Sequence, residues 1–304
     1  MSESRMPAVS LGALPGKRRK TLDAAQEVER AGFTGIYSAT FGDGMAFSQS
    51  LALETRTIEI GTSIANIYTR IPVDYAQHAA FIQEVSGGRF RFGLGVSHAP
   101  MNQRLGVQTG KPVSDMRRFV EACRAAPRIG ELPPLVLAGL RDPMVRLAGE
   151  IADGVVFANV ARSHVSHTLG VLPDGKQTDP NFFIGNMIPV CISDDVQAAA
   201  AVNRKTLLGY VGLPNYREYW KAAGYVEEME AIEKARAAKD FDSIPALLHD
   251  RWLADVTLFG PVSRVREGVE EWFDLGVRTP ILVGSSTSGG QLVALQELLD
   301  AFGR

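Results

Sequence analysis

Short runs of β-branched and apolar residues alternate along the chain with stretches whose apolar positions recur every three or four residues, the two spacings expected of buried strands and amphipathic helices. Ala8–Leu11 is the first such run, and Arg18–Arg30 the first helical pattern, with Leu22, Ala25 and Val28 on one side and a stop at Ala31-Gly32. The alternation continues with strand two at Gly35–Ser38, a helix at Met45–Thr55, strand three at Ile58–Ala65, a helix at Val73–Val85 that ends in Ser86-Gly87-Gly88, and strand four at Phe90–Gly95. Val113–Ala126, Leu135–Ala138, Met144–Ile151 and Gly154–Ala158 add a helix, strand five, a helix and strand six; a weak helical pattern at His164–Leu169 then leads to strand seven, Phe183–Ile192. After it the rhythm breaks into three successive helical patterns, Asp195–Leu208, Tyr216–Ala223 and Val226–Ala238, and resumes with a helix at Val262–Leu275, strand eight at Pro280–Val283 and a closing helix at Gln291–Phe302.

Strands separated by helices must run parallel, and eight strand-then-helix units predict an α/β chain folded as a (β/α)8 TIM barrel, in preference to a doubly wound open sheet. The three consecutive helices read as an insertion of about residues 195–255, between strand seven and the barrel helix that follows it. A length of 304 residues fits either two domains or one barrel; the element order favours a single barrel domain over 1–304.

Composition narrows the function more than the fold. Lys and Arg number 32 against 34 Asp and Glu, a formal charge of −2, so no overall basic field is available for nucleic acid or an anionic membrane. Met1 to Pro7 carries no apolar run of signal-peptide length, no stretch of about 18 uninterrupted apolar residues occurs, and Cys123 and Cys191 lie far apart in apolar surroundings; a reducing cytoplasm is the expected compartment. Gly is abundant at 30 residues, which suits loops that bring backbone close to a ligand. The Gly93-x-Gly95 pair is no dinucleotide fingerprint, because a third glycine is missing and Pro100 is expected to interrupt any immediate helix.

In a barrel of this kind the chemistry sits on the loops that follow the strands. Those loops, Gly61–Pro72 and Gly93–Pro100, taken with Ala31-Gly32-Phe33, Ser86-Gly87-Gly88-Arg89-Phe90, Ala148–Gly154, Gly212-Leu213-Pro214-Asn215-Tyr216 and the Phe259-Gly260 junction, resemble the luciferase-like monooxygenase superfamily, and most closely its branch of oxidoreductases that use coenzyme F420. The resemblance runs over nearly the whole chain; each string is weak alone, while their order and spacing are specific.

The resemblance implies a non-prolyl cis peptide at Ser63–Ile64, with Ser63, Ile64 and Ala65 backing the central ring of a deazaflavin or flavin. It implies that Val96 and Ser97 touch the cofactor edge and that His98 faces the reaction space, as a proton donor or as a histidine bonded to a loop carbonyl. Gly139, Leu140 and Arg141 would meet the cofactor phosphate at the N-terminus of the Met144 helix, where relatives carry Gly-Pro in place of Arg141-Asp142. The strand-two loop, Ser38 to Asp43, departs from the relatives' acid and histidine; Thr40 is the residue left to bond a ring carbonyl, and Asp43 stands nearby as an acid.

Other features carry less. Lys17-Arg18-Arg19-Lys20 is a solvated charge run or an attractor for the cofactor's anionic tail; His164 and His167 lack the partners of a metal site; Tyr210, Tyr216, Tyr219 and Trp220 either pack the insertion or cover the substrate space. The expected function is F420-dependent hydride transfer to or from a small-molecule substrate, with an FMN-dependent monooxygenase or a cofactor-binding protein without catalysis as alternatives. Relatives are commonly homodimers, and a dimer is the expected assembly.

Overall fold

In the computed structural model, which describes residues 5–39 and 42–303, the alternation becomes a ring of parallel strands covered by helices. β1 (Ala8–Leu11) leads to α1 (Arg18–Arg30), β2 (Gly35–Ala39) to α2 (Gly44–Glu54), and β3 (Glu59–Ser63) with its continuation β4 (Ala65–Asn66) to α3 (Pro72–Val85). β5 (Phe90–Gly95) is followed by α4 (Ala99–Arg104) and α5 (Pro112–Arg124), β6 (Leu135–Ala138) by α6 (Asp142–Ile151), and β7 (Gly154–Ala158) by α7 (Val165–Gly170). After β8 (Phe183–Ile192) come α8 (Val196–Val211), α9 (Pro214–Ala222), α10 (Val226–Ala237), α11 (Ile244–Leu247), α12 (Asp250–Val256) and β9 (Leu258–Gly260). The chain then makes α13 (Val262–Asp274), β10 (Thr279–Ser285) and α14 (Gln291–Phe302).

β1, β2, β3, β5, β6, β7 and β8 are neighbours in that order, and β10 bonds β1 on one side and β8 on the other, which closes an eight-stranded TIM barrel. The closing register sets Val9 opposite Leu282 and Ile281 opposite Met187. β9 stands outside the ring and extends the C-terminal end of β8, with Val190 opposite Leu258. α8 to α12 form the helical excursion between β8 and the barrel helix α13.

Because successive strand residues point to opposite faces, the apolar runs divide into two layers. Ile36, Ile60, Phe92, Leu94, Leu137, Val155 and Ile188 join the large core between barrel and helices, whereas Ala8, Tyr37, Val136, Val156, Phe183 and Ile281 pack in the lumen. Outside the barrel α1 is clamped by Glu29, whose Oε1 accepts backbone N–H bonds from Arg56, Thr57 and Ile58 at 2.7–2.9 Å. In the excursion Trp220 and Trp252 are fully buried and meet edge to face at 4.9 Å. Burying each such ring is worth roughly 2–3 kcal/mol.

Two departures from the sequence pattern bear on the site. The expected strand over Ile58–Ala65 is divided in two at Ser63–Ile64, whose peptide bond is cis. Pro100 does not prevent a helix: it occupies the first turn of α4, where its missing N–H has no intrahelical partner to lose. No helix among the described residues is long and apolar enough to cross a membrane.

Candidate active site at the C-terminal mouth of the barrel

The floor of the mouth is built by small or apolar side chains at the ends of the strands. Ile64, Ala138 and Met187 rest on the lumen layer and remain partly exposed, and the Ser63 hydroxyl donates to Met187 Sδ at 2.9 Å. β5 lies hard against this floor because it has glycine where any side chain would collide: a Cβ on Gly93 would fall 1.8 Å from the Thr62 carbonyl oxygen, and one on Gly95 would fall 2.5 Å from Ile64 Cγ1. The Gly-x-Gly spacing thus has a packing cause, the close approach of two strands at the Ser63–Ile64 step.

From that floor β5 runs into Val96, Ser97 and His98, all half-buried, with Ser97 in the left-handed region at φ 55°. The loop is fixed from behind by Asn102 of α4. Its Nδ2 donates to the Val96 carbonyl at 2.9 Å, and its Oδ1 accepts from Asn66 Nδ2 at 2.9 Å. Asn66 and Asn102 are both buried, so this pair ties the ends of β4 and β5 together. Neither residue stands out by type; the signal that could have found Asn102 is a proline that opens a helix directly after a strand.

The His98 ring makes no hydrogen bond to a described residue and packs edge-on against Tyr216 at 5.7 Å and Tyr210 at 6.4 Å. Burial lowers its pKa below the ordinary histidine value, so near neutral pH it is an uncharged imidazole with one donor and one acceptor nitrogen. The tyrosines therefore do two things. They pack against the His98 ring, and they continue through Trp220 into the excursion.

Asn159 is a further mouth residue that the sequence did not single out. It follows β7 directly, takes φ 55°, donates its backbone N–H to the Met187 carbonyl at 3.1 Å and accepts from Trp220 Nε1 at 3.1 Å. Asn and Asp are the residues besides Gly that best tolerate this backbone region.

The remaining expected residues are distributed less tightly. Thr40 lies outside the described residues. Asp43 does not stand free as an acid: Oδ1 caps α2 through Ala46 N–H at 3.1 Å and Oδ2 pairs with Arg70 at 2.8 Å. Arg70 also donates to His78 Nδ1, whose Nε2 bonds Gln49 Oε1, so a polar chain links the β2 and β4 loops at the rim. Gly139 and half-buried Leu140 lead into α6, with exposed Arg141 as the N-cap residue and no side chain capping the helix. Asp142 and Pro143 in the first turn oppose an anion there, one by charge and one by removing a donor. In the basic run Arg18 bonds the Ala13 carbonyl and Arg19 pairs with Asp23 and Glu54, leaving Lys17 and Lys20 as exposed cations. The His164 and His167 rings lie 4.5 Å apart, with His164 edge-on to Tyr219 at 5.6 Å.

A TIM barrel whose strand ends form a small-residue floor, with a histidine and two tyrosines at its side, is the frame of an enzyme that works at the C-terminal mouth. The family model described as luciferase-like monooxygenase matches residues 6–279, and the chain belongs to that family. It is 31% identical over 268 residues to the 5,10-methylenetetrahydromethanopterin reductase of Archaeoglobus fulgidus, covering 77% of this chain and 79% of the relative. Among solved structures it superimposes on the coenzyme F420-dependent tetrahydromethanopterin reductase of Methanopyrus kandleri with a TM-score of 0.77 at 19% identity, over 97% of this chain and 98% of the other. It also matches the oxygenating constituent of 3,6-diketocamphane monooxygenase from Pseudomonas putida, solved with FMN, with a TM-score of 0.64 at 13% identity over 99% and 97% of the two chains.

Proposed function

We propose that the chain is an oxidoreductase that binds coenzyme F420 in the barrel mouth and moves hydride between it and a small organic substrate. The observation that carries this reading is the floor: Ile64, Ala138 and Met187 present a partly exposed, uncharged surface at the strand ends, next to the half-buried Val96–His98 loop that continues β5. Such a surface suits a flat ring system, since apolar support from below leaves the opposite face for the substrate. F420 supplies a two-electron hydride donor or acceptor when bound. The protein's part is to support and orient the ring, through Ile64 and Ala138 below and Val96 and Ser97 at the edge. The α6 N-terminus and Arg141 would meet the anionic part of the cofactor, and there the fit is poorer, because Asp142 and Pro143 occupy the first turn. His98 holds a proton on one imidazole nitrogen at the substrate side.

The relatives named for methylenetetrahydromethanopterin and F420 support this reading over an oxygen-using one, while the FMN-bound neighbour keeps the flavin alternative specific. Titration of the purified protein with F420 and, separately, FMN, followed by cofactor fluorescence, decides between them. Saturable quenching of F420 with FMN left unchanged is the expected outcome. Quenching of FMN alone would assign the flavin chemistry, and quenching of neither would overturn both.

A further inference from the structure

The turn that carries His98 away from β5 rests on one unfavourable backbone angle. Ser97 has φ 55°, a region rare for a residue other than glycine, and such an angle persists only where its neighbours enforce it. Asn102 supplies that enforcement from both sides. Its side-chain Nδ2 donates to the Val96 carbonyl, before Ser97, at 2.9 Å, and its backbone N–H donates to the His98 carbonyl, after Ser97, at 3.0 Å. Asn102 is buried, and its other polar groups are taken as well: Oδ1 accepts from Asn66 Nδ2 at 2.9 Å, and the carbonyl accepts from the Val107 N–H at 3.1 Å. Asn66 in turn accepts from the Tyr68 N–H through Oδ1 and from the Thr69 and Tyr75 hydroxyls through its carbonyl. The Tyr75 ring packs against Phe92 and Phe119, so the grip on the loop is anchored in the core. The His98 ring makes no hydrogen bond to a described residue, and its place is set by this backbone grip and by the rings of Tyr210 and Tyr216.

We infer that Asn102 is a positioning residue of the mouth: it acts through the Val96 and His98 carbonyls, and by bracketing Ser97 it sets where the Val96–Ser97 edge and the His98 imidazole stand. Two substitutions separate this duty from packing. Leucine is close to asparagine in size, but it leaves the Val96 carbonyl and the buried Asn66 amide without their partner; serine is polar but too short to reach both. Either change keeps the backbone N–H of residue 102 on the His98 carbonyl, so the loop is released on one side of Ser97 only. The inference rests on the mouth being the cofactor site, as proposed above.

The test follows the His98 ring by NMR as pH is varied, and F420 binding by fluorescence quenching, in the wild type, Asn102→Leu and Asn102→Ser. His164, which packs on Tyr219, is the internal reference. Burial holds the His98 pKa below the ordinary histidine value. Once the loop is released the ring gains water, so in both variants His98 is expected to titrate higher while His164 is unmoved, and F420 affinity is expected to fall about tenfold. Asn66→Ala removes the partner of Asn102 Oδ1 and leaves residue 102 in place; it should move His98 in the same direction by less, and it serves as the test should the other two variants fail to fold. A lowered unfolding temperature with the His98 titration and F420 affinity both unchanged makes Asn102 a packing residue and overturns the inference. Movement of His98 in the variants without F420 binding by the wild type would count against the cofactor reading alone, and normal F420 binding with His98 unmoved against the role of Asn102 alone.

Discussion

The two ends of the barrel lumen are built from the same strands and treat polar groups in opposite ways. At the N-terminal end Arg91 and Glu59 pair at 2.6 Å, the Arg91 guanidinium lies 5.2 Å over the Phe183 ring, and the Tyr37 hydroxyl donates to Glu59 Oε2 at 3.3 Å. Every polar group of that set has a partner, and Gly61 gives the Tyr37 ring its room, since a Cβ there would fall 2.7 Å from it. At the C-terminal end the floor is small and apolar, and the His98 ring has no hydrogen bond to a described residue. A satisfied end serves as a plug, and an unsatisfied end is where a ligand gains something by arriving.

The sharpest way to break that contrast is at the strand pair between the two ends. Gly93→Ala places a Cβ into the Thr62 carbonyl, and because the obstacle is backbone it cannot step aside. A loss of about 4 kcal/mol or more is expected, read as a collapse of the thermal unfolding midpoint. At the plug, Glu59→Ala strands the Arg91 charge beside Phe183. The pair is partly exposed, at 25% and 39% of its side chains, so the cost is expected near 1–2 kcal/mol by denaturant titration and not that of a fully buried pair.

Histidine titration sharpens the same comparison at smaller effect. Burial, aided at His78 by the Arg70 cation, lowers the folded-state pKa of His78 and His98 below the ordinary 6.5. By NMR both should titrate below that value, and saturating F420 should move the His98 resonances in the mouth while those of His78, held between Arg70 and Gln49, move less. His164 is lowered also, by burial and then by the nearby His167. For all three the neutral form is the one the fold prefers. The stability they confer is full above about pH 6.5 and is lost as pH falls through the lower folded values. A modest fall in unfolding temperature between pH 7 and 5 is therefore expected, and a rise over that window would contradict it.

The barrel was legible from sequence because its signals are local: parallel strands buried on both faces leave short apolar runs, and each covering helix leaves its own period and a glycine or serine stop. Gly32 and Gly87, at φ 82° and 66°, are such stops. The mouth was legible only in part. Ser63, Ile64, Val96, Ser97 and His98 follow from the family resemblance, and the structure places them at the C-terminal ends of β3 and β5. The positions that hold the mouth in shape were not legible, because their partners are remote. Asn66 meets Asn102 across 36 residues, and Asn159 is reached from Tyr210, Tyr216 and Trp220 of the excursion, the last 61 residues on. α4 was hidden by a proline whose meaning depends on whether it falls in the first turn or later. Thr40 lies outside the described residues, and Asp43 shows how an acid in a promising loop can be committed to a cap and an ion pair.

The central claim, that the apolar floor of the mouth is the seat of the cofactor, meets its most direct test in a paired F420 titration. Ala138→Phe fills the floor from a partly exposed position, and Glu59→Gln disturbs the opposite end of the lumen. The account predicts that Ala138→Phe weakens F420 binding by about a hundredfold, roughly 2.7 kcal/mol, while its unfolding temperature holds, and that Glu59→Gln lowers the unfolding temperature and leaves F420 affinity within about twofold of the wild type. Undiminished F420 binding by Ala138→Phe would contradict it.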